Sequence, residues 1–281
     1  LTASLKQLIQ ENRSLQNCAA VTKDIFSVLD LETEPDKGKI IIDHAQGKLR
    51  FERVSYRSAL KDFSLAIRSG EKIALVGSSD ETINALINLV PRFIQPTNGK
   101  ILLDNNELTT IKLDSLRSTI GFLSQDTTLF NDSIAANIAY GEMGCSTESK
   151  IISAAHAAHA IQFIRKMPQG MQTLIGKHGI KLSREQCQHI AIARILLKNP
   201  SILILDEITT APDSESEYLI RSALDNLMQD RTTLIIARRK ETLEKADRII
   251  VIEHNRIVET GGHQELLSEK GLYTALYPLY H

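Results

Sequence analysis

Residues 72–76 (KIALV) form a continuous apolar run, bounded by Gly70 and Gly77 and followed by the helix-like stretch 83–90. A strand without polar alternation is one that is covered on both faces, and a Gly-led turn into a helix is the opening unit of a parallel α/β sheet. Short, β-branched-rich apolar runs return at 202–205, 233–237 and 248–252, separated by helical patterns. That alternation predicts a largely parallel core. Between about 126 and 197 the pattern is mostly helical, with Ala-rich stretches such as 153–160, so a helical insertion interrupts the sheet.

Upstream, apolar runs at 40–42, 49–54 and 63–67 read as strands of an antiparallel edge sheet. Leu5, Leu8, Ile9, Leu15, Ile25, Phe26 and Leu29 recur at helical spacing, which predicts an amphipathic helix over residues 1 to about 30. Residues 32–38 (ETEPDKG) are a charged linker containing Pro and Gly, so a domain begins near residue 38.

The 281 residues suffice for one large domain or two small ones. Apolar residues at 42% and charged residues at 24% exclude a disordered or fibrous chain. A formal net charge of -1 gives no electrostatic reason to expect nucleic acid. Cys18, Cys145 and Cys187 are odd in number and widely spaced, which fits reduced thiols in a cytosolic compartment and shows no metal-ligand spacing. No apolar run approaches the roughly 20 residues of a membrane-spanning helix, and the start lacks a signal-peptide pattern, so the chain as given reads as soluble.

Residues 201–207 (SILILDE) end an apolar strand in the adjacent carboxylates Asp206 and Glu207. In P-loop NTPases such an Asp holds a magnesium ion and a following Glu polarises the attacking water. Taken alone, the motif equally describes a buried strand whose terminal acids cap the next turn. Its surroundings add further motifs in order. LSREQ at 182–186 leads through Cys187, Gln188 and His189 into IAIAR at 190–194, while GFLSQ at 121–125 precedes LFNDSIAANIAYG at 129–141. ADRIIVI at 246–252 and IVETG at 257–261 follow.

In that order and spacing, residues 38–281 resemble the nucleotide-binding domain of ABC transporters, and among these the exporter type of the lipid A flippase family. The resemblance implies the ABC ATPase fold: an α/β, P-loop NTPase-like, mainly parallel sheet core with an antiparallel β subdomain and an α-helical subdomain inserted at about 126–197. It makes residues 1–37 the end of the last transmembrane helix and its connector; a free-standing domain with its own N-terminal helix is the alternative. It also implies ATP and Mg2+ as ligands, a transmembrane domain on the same or a partner chain, a second nucleotide-binding domain in a homo- or heterodimer, and a location at the cytoplasmic face of the inner (plasma) membrane.

Carried over residue by residue, the resemblance assigns nucleotide contacts to Gly77, Ser79, Thr82, Gln125, Ser183, Gln186 and Asp206. Metal binding falls to Gln125 and Asp206, and catalysis to Glu207 and to Arg238 at the switch-histidine position. Several positions depart from the family pattern. Where the phosphate loop G-x-x-G-x-G-K-S-T belongs, the chain reads Gly77, Ser78, Ser79, Asp80, Glu81, Thr82, which is three residues shorter, with Asp80 in place of Lys and Glu81 in place of Ser. A phosphate loop works through converging backbone N–H groups and a lysine ammonium at a helix N-terminus, so two carboxylates there repel the ligand and suit only the first turn of a helix.

Arg184 and Glu185 replace the two signature glycines, and an arginine at 238 does not shuttle a proton near neutral pH. Tyr56, the candidate for stacking on adenine, reads better as a core strand residue, and Pro212 stiffens the turn that keeps Asp213. The expected function is therefore a nucleotide-binding domain that couples to transport with impaired or absent hydrolysis. The alternative is a nucleotide-independent regulatory or protein-interaction module on the same fold.

Overall fold

The computed structural model describes residues 16, 18, 19, 22, 23, 26, 27, 29 and 30, then 34–125, 127–176, 180–206 and 215–280. The chain divides into two compact units, Leu1–Lys37 and Gly38–His281. In the first, Thr22 donates its hydroxyl to the Cys18 carbonyl at 2.7 Å and Asp30 N–H reaches the Phe26 carbonyl at 2.8 Å, both at helical spacing. Most of the helix expected over residues 1–30 lies outside the described residues.

The second unit carries two main sheets. An antiparallel sheet takes the order β2-β1-β4-β5, from β1 (Leu49–Tyr56), β2 (Leu60–Ile67), β4 (Asn98–Leu103) and β5 (Asn106–Glu107). A six-stranded sheet has the order β12-β11-β3-β10-β9-β6, from β3 (Lys72–Gly77), β6 (Ile120–Leu123), β9 (Ile202–Asp206), β10 (Thr232–Ile236), β11 (Arg248–Glu253) and β12 (Arg256–Gly261). Its pairs are parallel except β11 with β12, where the chain turns back on itself within two residues.

The continuous apolar run of β3 has the predicted cause. Ile73 and Leu75 join one core with Phe51, Phe63 and Leu86, while Ala74 and Val76 point the other way into a core with Leu243, Leu266 and Tyr273. Alternate residues thus fill opposite faces. Full burial of each such Ile or Leu stabilises the fold by about 1.5–3 kcal/mol.

The helical insertion comprises α3 (Ile134–Ile138), α4 (Glu148–Ala157), α5 (Ile161–Ile164) and the long α6 (Arg184–Lys198), around a third core with Ile134, Ile164, Ile190 and Ile192. It also contains a small two-stranded sheet, β7 (Asp132–Ser133) with β8 (Leu174–Ile175). The remaining helices are α1 (Asp80–Leu89), α2 (Leu113–Ser118), α7 (Glu215–Leu227), α8 (Lys240–Lys245), α9 (His263–Glu269) and α10 (Leu272–Leu276). Among the described residues no helix is long and apolar enough to cross a membrane.

Two expectations need correction. Residues 40–42 are not a strand: Ile40 makes one isolated bridge to Ile111, because only the backbone around Thr110 and Lys112 meets it and no ladder extends further. The antiparallel sheet is instead completed by β4 and β5, which pattern reading did not find. The first three residues of β4 are exposed, and its Gly99 adopts φ +80 against a bulge in β1, where an added Cβ would lie 2.3 Å from the Arg53 carbonyl oxygen.

Candidate functional site

Gly77, Gln125, Asp206 and Arg238 lie at the carboxyl edge of the six-stranded sheet. Gly77 ends β3, Asp206 ends β9, and Arg238 lies two residues beyond β10. Register fixes these neighbours, since Asp206 pairs with Ile236, Ile236 with Leu75, and Gly77 with Ile252. Gln125 follows the end of β6, where Leu123 pairs with Leu205 one residue before Asp206. In an open α/β sheet this edge is where ligand crevices form.

Only Ser78 and Ser79 separate β3 from α1. Ser79 is the N-cap and accepts the Thr82 N–H at 3.4 Å, with Asp80 and Glu81 in the first turn, where carboxylates complement the helix dipole. Ser78 donates its hydroxyl to Glu253 Oε2 at 2.6 Å. The Thr82 hydroxyl, on a residue 1% exposed, lies 3.2 Å from Ser79 Oγ and 3.1 Å from Asn255 Oδ1. Asn255 in turn donates its amide to the Ser58 carbonyl and accepts the Lys61 N–H at 3.1 Å. It takes the left-handed φ of 66 that Asn tolerates. One residue of the β11–β12 turn therefore ties the start of α1 to the hairpin between β1 and β2.

Behind the turn, Arg238 Nε stands 3.6 Å from Asp206 Oδ1. Tyr280 packs against the core that holds Ala74, Val76 and Ala237, and its hydroxyl feels the charges around the turn. Burial pushes the pKa of that hydroxyl up and the Arg238 charge draws it back, while Asp80 adds an upward push.

At the other motif, Ser183 caps α6. Its hydroxyl accepts the Gln186 N–H at 3.2 Å, and its own N–H reaches Gln186 Oε1 at 2.9 Å, a closed capping box. Arg184 and Glu185 are exposed in the turn that follows. Tyr56 ends β1, half-buried against the core, and the Arg57 guanidinium sits 5.3 Å over its ring. Glu207 and the turn from Thr210 to Asp213 lie outside the described residues.

The structure thus brings Gly77, Ser79 and Thr82 around one tight turn and sets Asp206 beside Arg238, whereas Ser183 and Gln186 pair with each other. Glu253, Asn255 and Tyr280 were missed from sequence. Glu253 and Asn255 meet their partners across 175 and 173 positions, without any local pattern to announce the contact.

The turn holds no lysine and no glycine beyond Gly77. Its two residues have their hydroxyls engaged within the protein, and the helix start carries two carboxylates. Among the described residues no group of three or more His, Cys, Asp or Glu side chains is placed to hold a metal ion.

The profile described as ABC transporter matches residues 60–210. The chain is 47% identical over 283 residues to the ATP-dependent lipid A-core flippase of Dechloromonas aromatica, an alignment covering 99% of this chain and 48% of that protein. It is 48% identical over 285 residues to the flippase of the same name from Thiobacillus denitrificans, covering 99% and 49%. Among solved structures it superposes on a bacterial Atm1-family ABC exporter with ATP bound at a TM-score of 0.79 and 33% identity, over 95% of this chain and 48% of that one. The chain spans about half the length of the relatives it matches. Fold, motif order and these similarities agree: the chain belongs to the ABC transporter family, with the α/β architecture of its nucleotide-binding domain.

Proposed function

We propose that this chain is the nucleotide-binding domain of an exporter resembling the lipid A-core flippases, and that its own site does not hydrolyse ATP. The carrying observation is the two-residue turn between β3 and α1, where Ser78 is engaged with Glu253 and Ser79 with Thr82. Loss of the lysine and of several amide donors removes charge-assisted hydrogen bonds of roughly 1.5–3 kcal/mol each. Three such losses weaken binding by about 10³-fold or more, since about 1.4 kcal/mol is a factor of ten. ABC domains build each site from the Walker residues of one subunit and the signature of another. Arg184 and Glu185 in place of small glycines therefore crowd the partner's site as well.

Residues 1–37 serve in this reading as the end of the last transmembrane helix and its connector, with the domain at the cytoplasmic face of the membrane. A groove of about 490 Å³, walled by the exposed rings of Phe93, Phe122 and Tyr140, supports a transmembrane partner. A membrane domain's cytoplasmic helix docks there through apolar contacts, beside the rim cations Arg117 and Lys198.

Phosphate release from Mg-ATP by the purified chain tests the hydrolysis claim. No turnover above buffer is expected, and sustained turnover that Asp206→Asn abolishes refutes it. Weak binding, at millimolar nucleotide and without turnover, favours the transporter reading over a nucleotide-independent module on the same fold.

A further inference from the structure

Two helices lie on one face of the six-stranded sheet and leave a gap between them. α7 packs through Ile220, Ala223 and Leu227 into the core of the helical insertion, whereas the six-residue α8 buries only Leu243, in the separate core with Ala74 and Val76. The gap is a cavity of about 140 Å³. Its floor is Leu123, Leu205 and Ile235, which stand in register on the adjacent strands β6, β9 and β10. Ile220, Leu224 and Met228, one helical turn apart, form the α7 side. Lys72 comes two positions before Ala74, the register partner of Ile235, and so flanks the floor on the same face. Lys245 of α8 and Asp225 of α7, both lining the cavity, approach to 3.8 Å; their side chains are 62% and 51% exposed, so this ion pair holds the two helices only weakly.

An apolar cavity of this size holds about one aromatic ring. The charged groups around it say what the ring carries. Lys72, Arg221, Arg239 and Lys245 line the cavity against Asp206, Asp225 and Glu241. Arg238 adds a further cation 3.6 Å from Asp206, so positive charge is in excess. Among the four lining cations Lys72 and Arg239 are half-buried, whereas Arg221 and Lys245 are exposed. An apolar floor with half-buried cations beside it is complementary to a ring bearing a carboxylate.

We propose that the crevice between α7 and α8 binds a small aromatic monocarboxylate, its ring on Leu205 and Ile235 and its carboxylate toward Lys72 and Arg239. The ligand then joins α7 to α8 beside Asp206, a role that goes beyond the proposed function and does not depend on it. Titration of the intact chain with para-fluorobenzoate, followed by fluorine NMR, tests the proposal. Saturable binding with a Kd below about 1 mM is expected for a ligand of roughly ten heavy atoms. Para-fluorobenzylamine, with the same ring and the opposite charge, should bind about tenfold more weakly. Leu224→Trp fills the crevice and should abolish binding. Lys72→Met keeps the stem, removes the charge, and should weaken fluorobenzoate about fivefold without weakening the amine. No saturable binding by the wild type, equal affinity for acid and amine, or fluorobenzoate affinity unchanged in either folded variant overturns the inference. Thermal melts identify a variant that fails to fold; should Leu224→Trp do so, the acid–amine comparison and Lys72→Met decide. ATP turnover by the wild type refutes the proposed function and leaves the fluorobenzoate result as it is, so the two fail separately.

Discussion

Replacing Thr82 by Val tests the tie that closes the shortened turn. The side chain is 1% exposed, and its hydroxyl lies between Ser79 Oγ at 3.2 Å and Asn255 Oδ1 at 3.1 Å. An amide oxygen only accepts, so the Thr82 proton goes to Asn255 and the Ser79 contact uses the lone pairs. Valine keeps the shape and removes both bonds. Each contributes about 1 kcal/mol, and the half-buried acceptor left behind adds part of its desolvation cost, for a loss of about 2–3 kcal/mol. In a domain of this size that corresponds to a Tm lower by about 4–12 °C. Urea melts give the free energy directly, and hydrogen exchange should quicken at the start of α1 and around Ser58, which Asn255 holds through its amide. A loss below about 0.5 kcal/mol, the range of an uncoupled surface change, refutes the reasoning.

Four further outcomes follow from other contacts. Gly77→Ala puts a Cβ 2.6 Å from the Ile252 carbonyl oxygen between two central strands, so it should cost about 1–3 kcal/mol in a urea melt. The exposed Gly144→Ala, whose Cβ meets nothing nearer than 3.7 Å, should be neutral in the same assay. Asn137, 0% exposed, accepts from Phe130 N–H at 2.8 Å and Arg194 Nη2 at 2.7 Å and donates to the Phe130 and Ser133 carbonyls. Asn137→Ala strands several buried groups at once, and a loss of about 3 kcal/mol or more is expected by denaturant melt. Burial lowers the pKa of His189 below its ordinary 6.5, and Nδ1–H donates to the Ala158 carbonyl at 2.7 Å. Because the unfolded state then binds the proton more readily, stability is full above pH 6.5 and falls as pH drops below it; His189→Gln should flatten that part of the pH profile in parallel melts.

The sequence pattern revealed those elements whose burial leaves a local trace. β3, β9, β10 and β11 are buried on both faces and so read as unbroken apolar runs. The signature region was legible as a motif, and in the structure its Ser183 and Gln186 form the capping box that starts α6. β4 left no such trace, since half of it is exposed and its shape depends on a bulge in another strand. The site divides in the same way. Asp206 and Arg238 sit at strand ends and were singled out from sequence, whereas Glu253 and Asn255 reach the turn only through the tertiary fold.

Isothermal titration of Mg-ATP into the intact chain addresses the turn between β3 and α1 most directly. The expected result is no saturable heat below millimolar nucleotide, in wild type and in Asp206→Asn alike. Saturable micromolar binding that Asp206→Asn weakens would show that the turn does enclose a triphosphate.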